Sequence, residues 1–224
     1  FAPKTHIQLG EELDIIDFDR GAKVGGFRGY YLKNEGAMLA MALMMFALDK
    51  MARKGFKLMI PPTLVKSFSL FGSGYFKGLE YAPDVDEIYE IATPDKDVSG
   101  AKSKDKKFLI GTAEPSLLAY YSDEVLKEEN LPIRLCGFSQ CYRSEIGSYG
   151  KDVKGIFRVH EFMKIEQVVI SRADIEESDR LQKEMVSITK EIHEDLGLPY
   201  RVMRICVGDL GTGKYKQFDY EAWL

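Results

Sequence analysis

The stretch that decides the fold runs from Cys141 to Glu166: CYRSEIGSYGKDVKGIFRVHEFMKIE. Two strand-like segments bracket a turn far longer than the two residues a tight hairpin needs. The stretch holds three glycines, five Lys or Arg residues and four carboxylates. We expect strands over 133–145 and 156–171, paired antiparallel around this loop. Alternate side chains of a strand point to opposite faces. Cys141, Arg143 and Glu145 then share one face of the outgoing strand, and Arg158, His160, Phe162, Lys164 and Glu166 share one face of the return strand. From Arg158 to Glu166 the chain spans roughly 26 Å at ~3.3 Å per residue.

A sheet face rich in arginine and glutamate is unusual, because buried charges are costly unless paired or liganded. If the two faces coincide, one wall can take an extended ligand. Guanidinium groups match phosphate oxygens bidentately, the Phe162 ring suits a purine, and Glu114 or Glu166 suits a cationic amine. The competing reading is a cross-strand ladder of Arg–Glu ion pairs. The pattern alone leaves both open.

Working outward, residues 133–171 sit between helical segments. NEGAMLAMALMMFALDKMARKG, from Asn34 to Gly55, is rich in strong helix formers. Lys50, Arg53 and Lys54 crowd its last turn and Gly55 stands at the C′ position. The segment is apolar on nearly every face, so it is expected to be buried on most sides, in a core or against another subunit. FKLMI, Phe56–Ile60, reads as a short strand stopped by Pro61 and Pro62. FLIGTAEPSLLAYY reads as a strand, a tight turn at Gly111 and a helix from about Pro115. DIEESDRLQKEMVSITKEIHEDLG reads as an amphipathic helix ending at Gly197, and YRVMRICVG and KQFDYEAWL as closing strands. Residues 1–33 hold short glycine-rich segments, with a strand in FRGYYL. The polar run Thr93–Lys107 is expected to be a mobile surface loop. Helices and strands do not alternate regularly, which favours an α+β domain around an antiparallel sheet.

The 224 residues carry a net charge of -4, which argues against a uniformly basic nucleic-acid binder and leaves a local basic patch open. Three cysteines without CxxC spacing and three histidines write no zinc cluster. The longest apolar run, Ala37–Leu48, falls short of the ~20 residues a membrane span needs. The amino-terminal segment lacks the pattern of a signal peptide. These features point to a cytoplasmic chain with no membrane partner.

The quoted hairpin closely resembles the motif 2 hairpin of class II aminoacyl-tRNA synthetases, within them the seryl-tRNA synthetase family. RSE, the GSYGKD loop, R-x-H-x-F and the following K-x-E fall in that family's order. GTAE, Gly111–Glu114, resembles its TxE serine-binding loop, and GFKLMIPPTLV resembles its motif 1. HIQLGEELDIIDFDRGAKVGGFRGYYLKNEGAML and GDLGTGKYKQFDYEAWL match the beginning of its catalytic domain and the segment before its metal-binding strand. The resemblance covers essentially the whole chain. It implies a class II synthetase-like antiparallel sheet flanked by helices. It also implies that residues 1–224 are an incomplete catalytic core: the helical tRNA-binding arm would lie upstream, and motif 3 with the magnesium ligands beyond Leu224.

The resemblance further implies a serine–tRNA ligase. Such an enzyme joins L-serine to ATP, giving seryl-adenylate and pyrophosphate, then transfers serine to the 3′ end of tRNA(Ser). Arg143 would hold the ATP α-phosphate and the serine carboxylate, and Arg158 the γ-phosphate; these two are the expected catalytic residues. Glu145 would contact the adenine amino group and Phe162 would stack on adenine, with Ser144 and Val159 completing the ATP site. Thr112, Ala113, Glu114 and Glu166, with Arg143, would form the serine site. ATP and Mg2+ are the expected substrate and cofactor. A homodimer is expected through the Met/Ala-rich helix and the strand after it. Glu161 stands where the family usually has Gln, with its parity on the opposite face. His160 is expected to be bonded within the sheet, not to act as an acid or base. Gly147, Gly150 and Gly155 would let the loop bend towards substrate and tRNA, with Lys151 and Lys154 suited to phosphate. Two other readings are an amino acid:carrier-protein ligase without the tRNA arm, and a catalytically silent synthetase-like binding protein.

Overall fold

The computed structural model describes residues 3–76, 78, 80–92, 96, 99–101, 106–146, 154–211 and 213–223. The quoted hairpin forms its centre. Strands β7 (Ile133–Tyr142) and β8 (Glu161–Ile170) pair antiparallel over their full length, from Ile133 opposite Ile170 to Tyr142 opposite Glu161. Both stop short of the expected 145 and 156. Glu145 adopts a left-handed backbone, φ 51°, which an extended ladder cannot contain.

Strand β3 (Lys57–Met59) adds to the outer edge of β7 in parallel. The expected antiparallel sheet thus carries one parallel pair at its edge, with a partner strand too far away in sequence to leave a local signal. A second sheet joins β4 (Leu64–Lys66), β6 (Lys107–Leu109) and β5 (Tyr89–Ile91), in the order β4-β6-β5 and all antiparallel. The Tyr142 amide donates to the Ile110 carbonyl at 2.8 Å, linking the end of β7 to the segment after β6. Two two-strand ribbons complete the set: β1 (Ile16–Asp17) with β2 (Tyr31–Leu32), and β9 (Tyr200–Arg204) with β10 (Phe218–Ala222).

Residues on the two faces of the hairpin sort its packing. On one face, Cys136, Ile165 and Val169 meet helices α3 (Asn34–Arg53) and α6 (Ile175–Asp195) through Leu48, Met51, Met185, Ile188 and Ile192. Burial pushes the Cys136 thiol up to about 12 in this layer, so it behaves as an inert apolar group. The Arg134 guanidinium grips Glu184 of α6 through Nε and Nη2, both at 3.0 Å. Lys54 of the chain after α3 reaches Glu191 at 2.7 Å. Asp174 caps the amino end of α6 by accepting from the Glu177 amide. Gly197, φ 65°, follows its carboxyl end.

The other face of the hairpin starts apolar. Leu135 and Val168 pack against Ala113 and Leu117 at the head of the short helix α5 (Glu114–Ala119). Gly137 lets that turn settle on the sheet: a Cβ there would stand 2.9 Å from the Ala113 Cβ and 3.1 Å from Leu117 Cδ1.

Three expectations need correction or extension. Helix α3 is not buried on most sides of this chain. Only Gly36, Ala47 and Met51 are buried, whereas Met38, Leu39 and Met45 are 72%, 68% and 61% exposed. Its carboxyl half lies on α6 and β8; the amino half overhangs. Residues 1–33 hold two helices the sequence did not signal, α1 (His6–Glu12) and α2 (Phe18–Gly25). Residues 147–153, including Gly147, Gly150 and Lys151, lie outside the described residues, as does much of Thr93–Lys107.

Candidate active site

The face that begins at Leu135 turns polar towards the loop end of the hairpin. Gly137 stands opposite Glu166, Ser139 opposite Lys164, and Cys141 opposite Phe162. The two strands therefore present their predicted residues on one wall. One step further, the ladder gives way to a mutual grip. The Arg143 amide donates to the His160 carbonyl at 3.0 Å, and His160 Nδ1 donates to the Arg143 carbonyl at 2.9 Å. His160 is thus consumed in holding the backbone beneath Arg143.

The Arg143 side chain is fixed from three sides. Its Nε donates to the Gly111 carbonyl at 3.1 Å. Its guanidinium carbon lies 5.5 Å from the centre of the Phe162 ring, within cation–π range. Tyr75 closes the third side. A Cβ on Gly111 would come within 2.1 Å of the Tyr75 hydroxyl and 3.3 Å of Arg143 Cγ, so only glycine fits. Burial raises the Tyr75 hydroxyl above the usual phenol range, and the Arg143 charge opposes that. Nothing in the sequence singled out Tyr75.

The Gly111–Glu114 turn brings in the second cluster. Thr112 is buried and its hydroxyl donates to the Glu166 carboxylate. Lys164 stands 2.6 Å from the same carboxylate. The Glu114 amide donates to Thr112 Oγ1 at 3.4 Å. Burial raises the Glu114 carboxyl above the usual carboxylate range; Lys214 opposes the shift, Glu166 adds to it and Lys164 opposes it. Thr112, Ala113, Glu114, Glu166 and Arg143 are thus brought together, with Ala113 fully buried beneath them.

At the loop end, Arg158 Nη1 donates to Glu145 Oε2 at 3.1 Å. This pair is the cross-strand ion pair of the competing reading. Among the described residues it does not extend down the wall: the next arginine, Arg143, is bound there by a carbonyl and a ring. Ser144 Oγ is buried with no hydrogen-bond partner among the described residues, an unmet group that a ligand would satisfy. Val159 is buried. Ser144 and Ile146 line an open cleft of about 540 Å³ with Tyr89, Glu90 and Lys106. Glu161 lies on the opposite face, as its parity requires, and accepts from Gln140 Nε2 at 3.1 Å.

A wider cleft of about 930 Å³ lies elsewhere, lined by Glu128, Pro132, Arg172, Asp174 and Arg180. Its Arg172 is already held by Glu177 and Glu128, so size alone does not mark a site. Among the described residues, no three His, Cys, Asp or Glu side chains converge as a metal-holding group. The residues at hand therefore do not fit a magnesium site of their own, and no step is assigned to that ion.

This wall, an antiparallel hairpin carrying a fixed arginine beside a Thr-x-Glu turn, is that of a class II synthetase core. The family described as tRNA synthetase class II core domain (G, H, P, S and T) matches residues 97–224, and the chain belongs to it. Over 224 residues it is 41% identical to the serine–tRNA ligases of Borrelia garinii subsp. bavariensis and Treponema denticola, covering 100% of this chain and 48% and 49% of those proteins. The seryl-tRNA synthetase of Pyrococcus horikoshii, solved with ATP, superposes with a TM-score of 0.85 at 41% identity, covering 100% of this chain and 46% of that one. A cytoplasmic serine–tRNA ligase of Naegleria fowleri, solved with AMP, also gives 0.85, at 33% identity over 97% of this chain and 47% of its own. The chain spans about half the length of the relatives it matches. Among the described residues, no helix is long and apolar enough to cross a membrane.

Proposed function

We propose that residues 1–224 carry the amino-acid activation wall of a serine–tRNA ligase. The observation that carries this reading is the Gly111 carbonyl: it holds the Arg143 guanidinium at 3.1 Å while the adjoining Thr112 hydroxyl donates to Glu166. A phosphate-binding arginine and an ammonium-binding acid cluster are thereby one residue apart along the same turn. The likeness to serine–tRNA ligases over the whole chain supports serine as the amino acid.

In the reaction we infer, a serine carboxylate oxygen attacks the ATP α-phosphorus. An O–P bond forms, the bond to the bridging oxygen breaks, and pyrophosphate leaves. The nucleophile is already ionised, so no general base is needed, and rate comes from positioning and from stabilising phosphoryl charge. Arg143 bridges the α-phosphate and the serine carboxylate. Arg158 receives the γ-phosphate, Phe162 stacks on the adenine ring, Glu145 meets the adenine amino group, and Ser144 and Val159 complete the nucleotide site. Glu114, Thr112 and Glu166 take the serine ammonium and hydroxyl, with Ala113 as floor. A polar pocket of this kind rejects alanine by leaving its own groups unpaired, and threonine by lack of room. In the full-length protein the serine passes to the 3′ end of tRNA(Ser). A homodimer formed through α3 and β3 and a cytoplasmic location belong to the same proposal.

Serine-dependent exchange of pyrophosphate into ATP by the full-length protein tests the reading. Arg143→Ala is expected to lower exchange roughly a hundredfold or more, the range for removing one charge-stabilising donor. Equal exchange with threonine or proline would overturn the serine assignment.

A further inference from the structure

The β7–β8 ladder ends at Tyr142 and Glu161, yet Glu145 and Arg158 lie beyond it. Something other than the ladder must hold these limbs. Three contacts from the amino-terminal segment do so. Arg28 Nη1 donates to the Glu145 carbonyl at 3.4 Å, and the Tyr30 hydroxyl donates to the Glu161 carbonyl at 3.2 Å. The third is the most specific. The Ile156 amide donates to His6 Nε2 at 3.3 Å, and the His6 ring lies 4.0 Å from the Phe157 ring, centre to centre. Gly155, at φ 79°, leaves the room: a Cβ there would stand 1.8 Å from His6 Nε2. His6 itself is well seated. Thr5 and Gln8 form a reciprocal capping box at the start of α1, and the Ile15 amide bonds back to Gly10 at 2.9 Å before β1 joins β2.

We propose that His6 is a positioning residue for Arg158: by accepting the Ile156 amide and covering Phe157, it fixes the limb that carries the arginine two residues further on. The inference rests on the function proposed above for the reaction it serves, but the anchor itself is a property of the free protein. An accepting Nε2 puts the ring proton on Nδ1. Glutamine can place an oxygen at similar reach, whereas alanine supplies neither acceptor nor ring. Because Arg158 stands at the phosphate end and the Thr112–Glu166 cluster at the other, the anchor acts on ATP and not on serine.

The test uses the full-length protein with His6→Ala and His6→Gln. In serine-dependent pyrophosphate exchange, His6→Ala is expected to raise the KM for ATP roughly tenfold, within the range a misplaced positioning group costs. The KM for serine stays within about twofold, and His6→Gln recovers most of the loss. A merely structural role would lower the active fraction, hence kcat, with both KM values unchanged. That result, or equal rises in both KM values, overturns the proposal. Hydrogen exchange at the Ile156 amide, measured without ligands, is expected to quicken in His6→Ala; unchanged exchange also overturns it. Absence of serine-dependent exchange in the unsubstituted protein would instead sink the functional reading, and the amide measurement would still decide the anchor.

Discussion

Glu114 is a residue whose charge depends on its burial. Burial raises its carboxyl above the ordinary range, with Lys214, Glu166 and Lys164 as smaller influences of mixed sign. A group whose folded pKa lies above its unfolded one contributes stability that is fully present below the unfolded pKa and is lost as pH rises through the folded value. Above its raised pKa the ionised Glu114 therefore burdens the free protein, and an incoming ammonium relieves it. Glu114→Gln is expected to melt higher than the parent at pH 7.5, with the difference fading towards pH 4. The same change is expected to raise the KM for serine roughly 10- to 100-fold, as for a lost hydrogen bond to a charged group, ~1.5–3 kcal/mol. In the parent, serine binding weakens as pH falls into the window above the ordinary carboxylate range. A lower melting temperature for the variant at pH 7.5 would remove this account. At this scale the sequence was informative about residue type and parity. Alternation put Arg143 with Cys141 on one face of the outgoing strand and Phe162, Lys164 and Glu166 on one face of the return strand; that the two faces coincide comes from the register, with Cys141 opposite Phe162. It was silent on Tyr75, His6 and the crowding at Gly111, because each depends on a contact between segments far apart in the chain.

Among the elements, α6 shares the sheet's far face with α3. Ile188 is 1% exposed and joins Met51, Phe56 and Cys136 in one cluster. Ile188→Ala is expected to cost about 3 kcal/mol, the middle of the range for such truncations. Urea unfolding should show a lower midpoint with the slope unchanged; a loss under ~1 kcal/mol would mean that the layer collapses freely onto the gap. Helices α3 and α6 could be read ahead because each carries many periodic positions, a start or stop signal and a closing glycine. By contrast α1 has seven residues and β1 two, too few for any period to register, whereas β2 falls within the strand expected in FRGYYL. The ends of β7 and β8 were misread for a different reason. Residues 143–145 and 156–160 keep the composition of a strand, while the left-handed turn at Glu145 is a tertiary choice, tied by Arg158 to its side chain and by Arg28 to its carbonyl.

For the whole molecule, the unresolved balance is on α3. Its Lys50 is held by Glu191 at 3.6 Å and also pairs with Asp195 of α6, so the carboxyl half cannot swing to hide the rest. Met38, Leu39 and Met45 then stay in water, beside an edge strand β3 whose following residue, Ile60, is 84% exposed. Burying one such side chain contributes about 1.5–3 kcal/mol, and an outer β-strand edge invites pairing with another chain. The homodimer proposed above, with its copies related by a two-fold axis, would cover both features with one self-complementary patch. Leu39→Glu in the full-length protein is expected to weaken association by at least roughly tenfold in sedimentation equilibrium, since the apolar transfer is lost and a charge is trapped. The circular dichroism of the separated chains should stay unchanged, because Leu39 is exposed and stands outside the cluster that α3 forms with α6. A parent protein that sediments as a monomer at micromolar concentration would leave the α3 face without this partner and would refute the dimer.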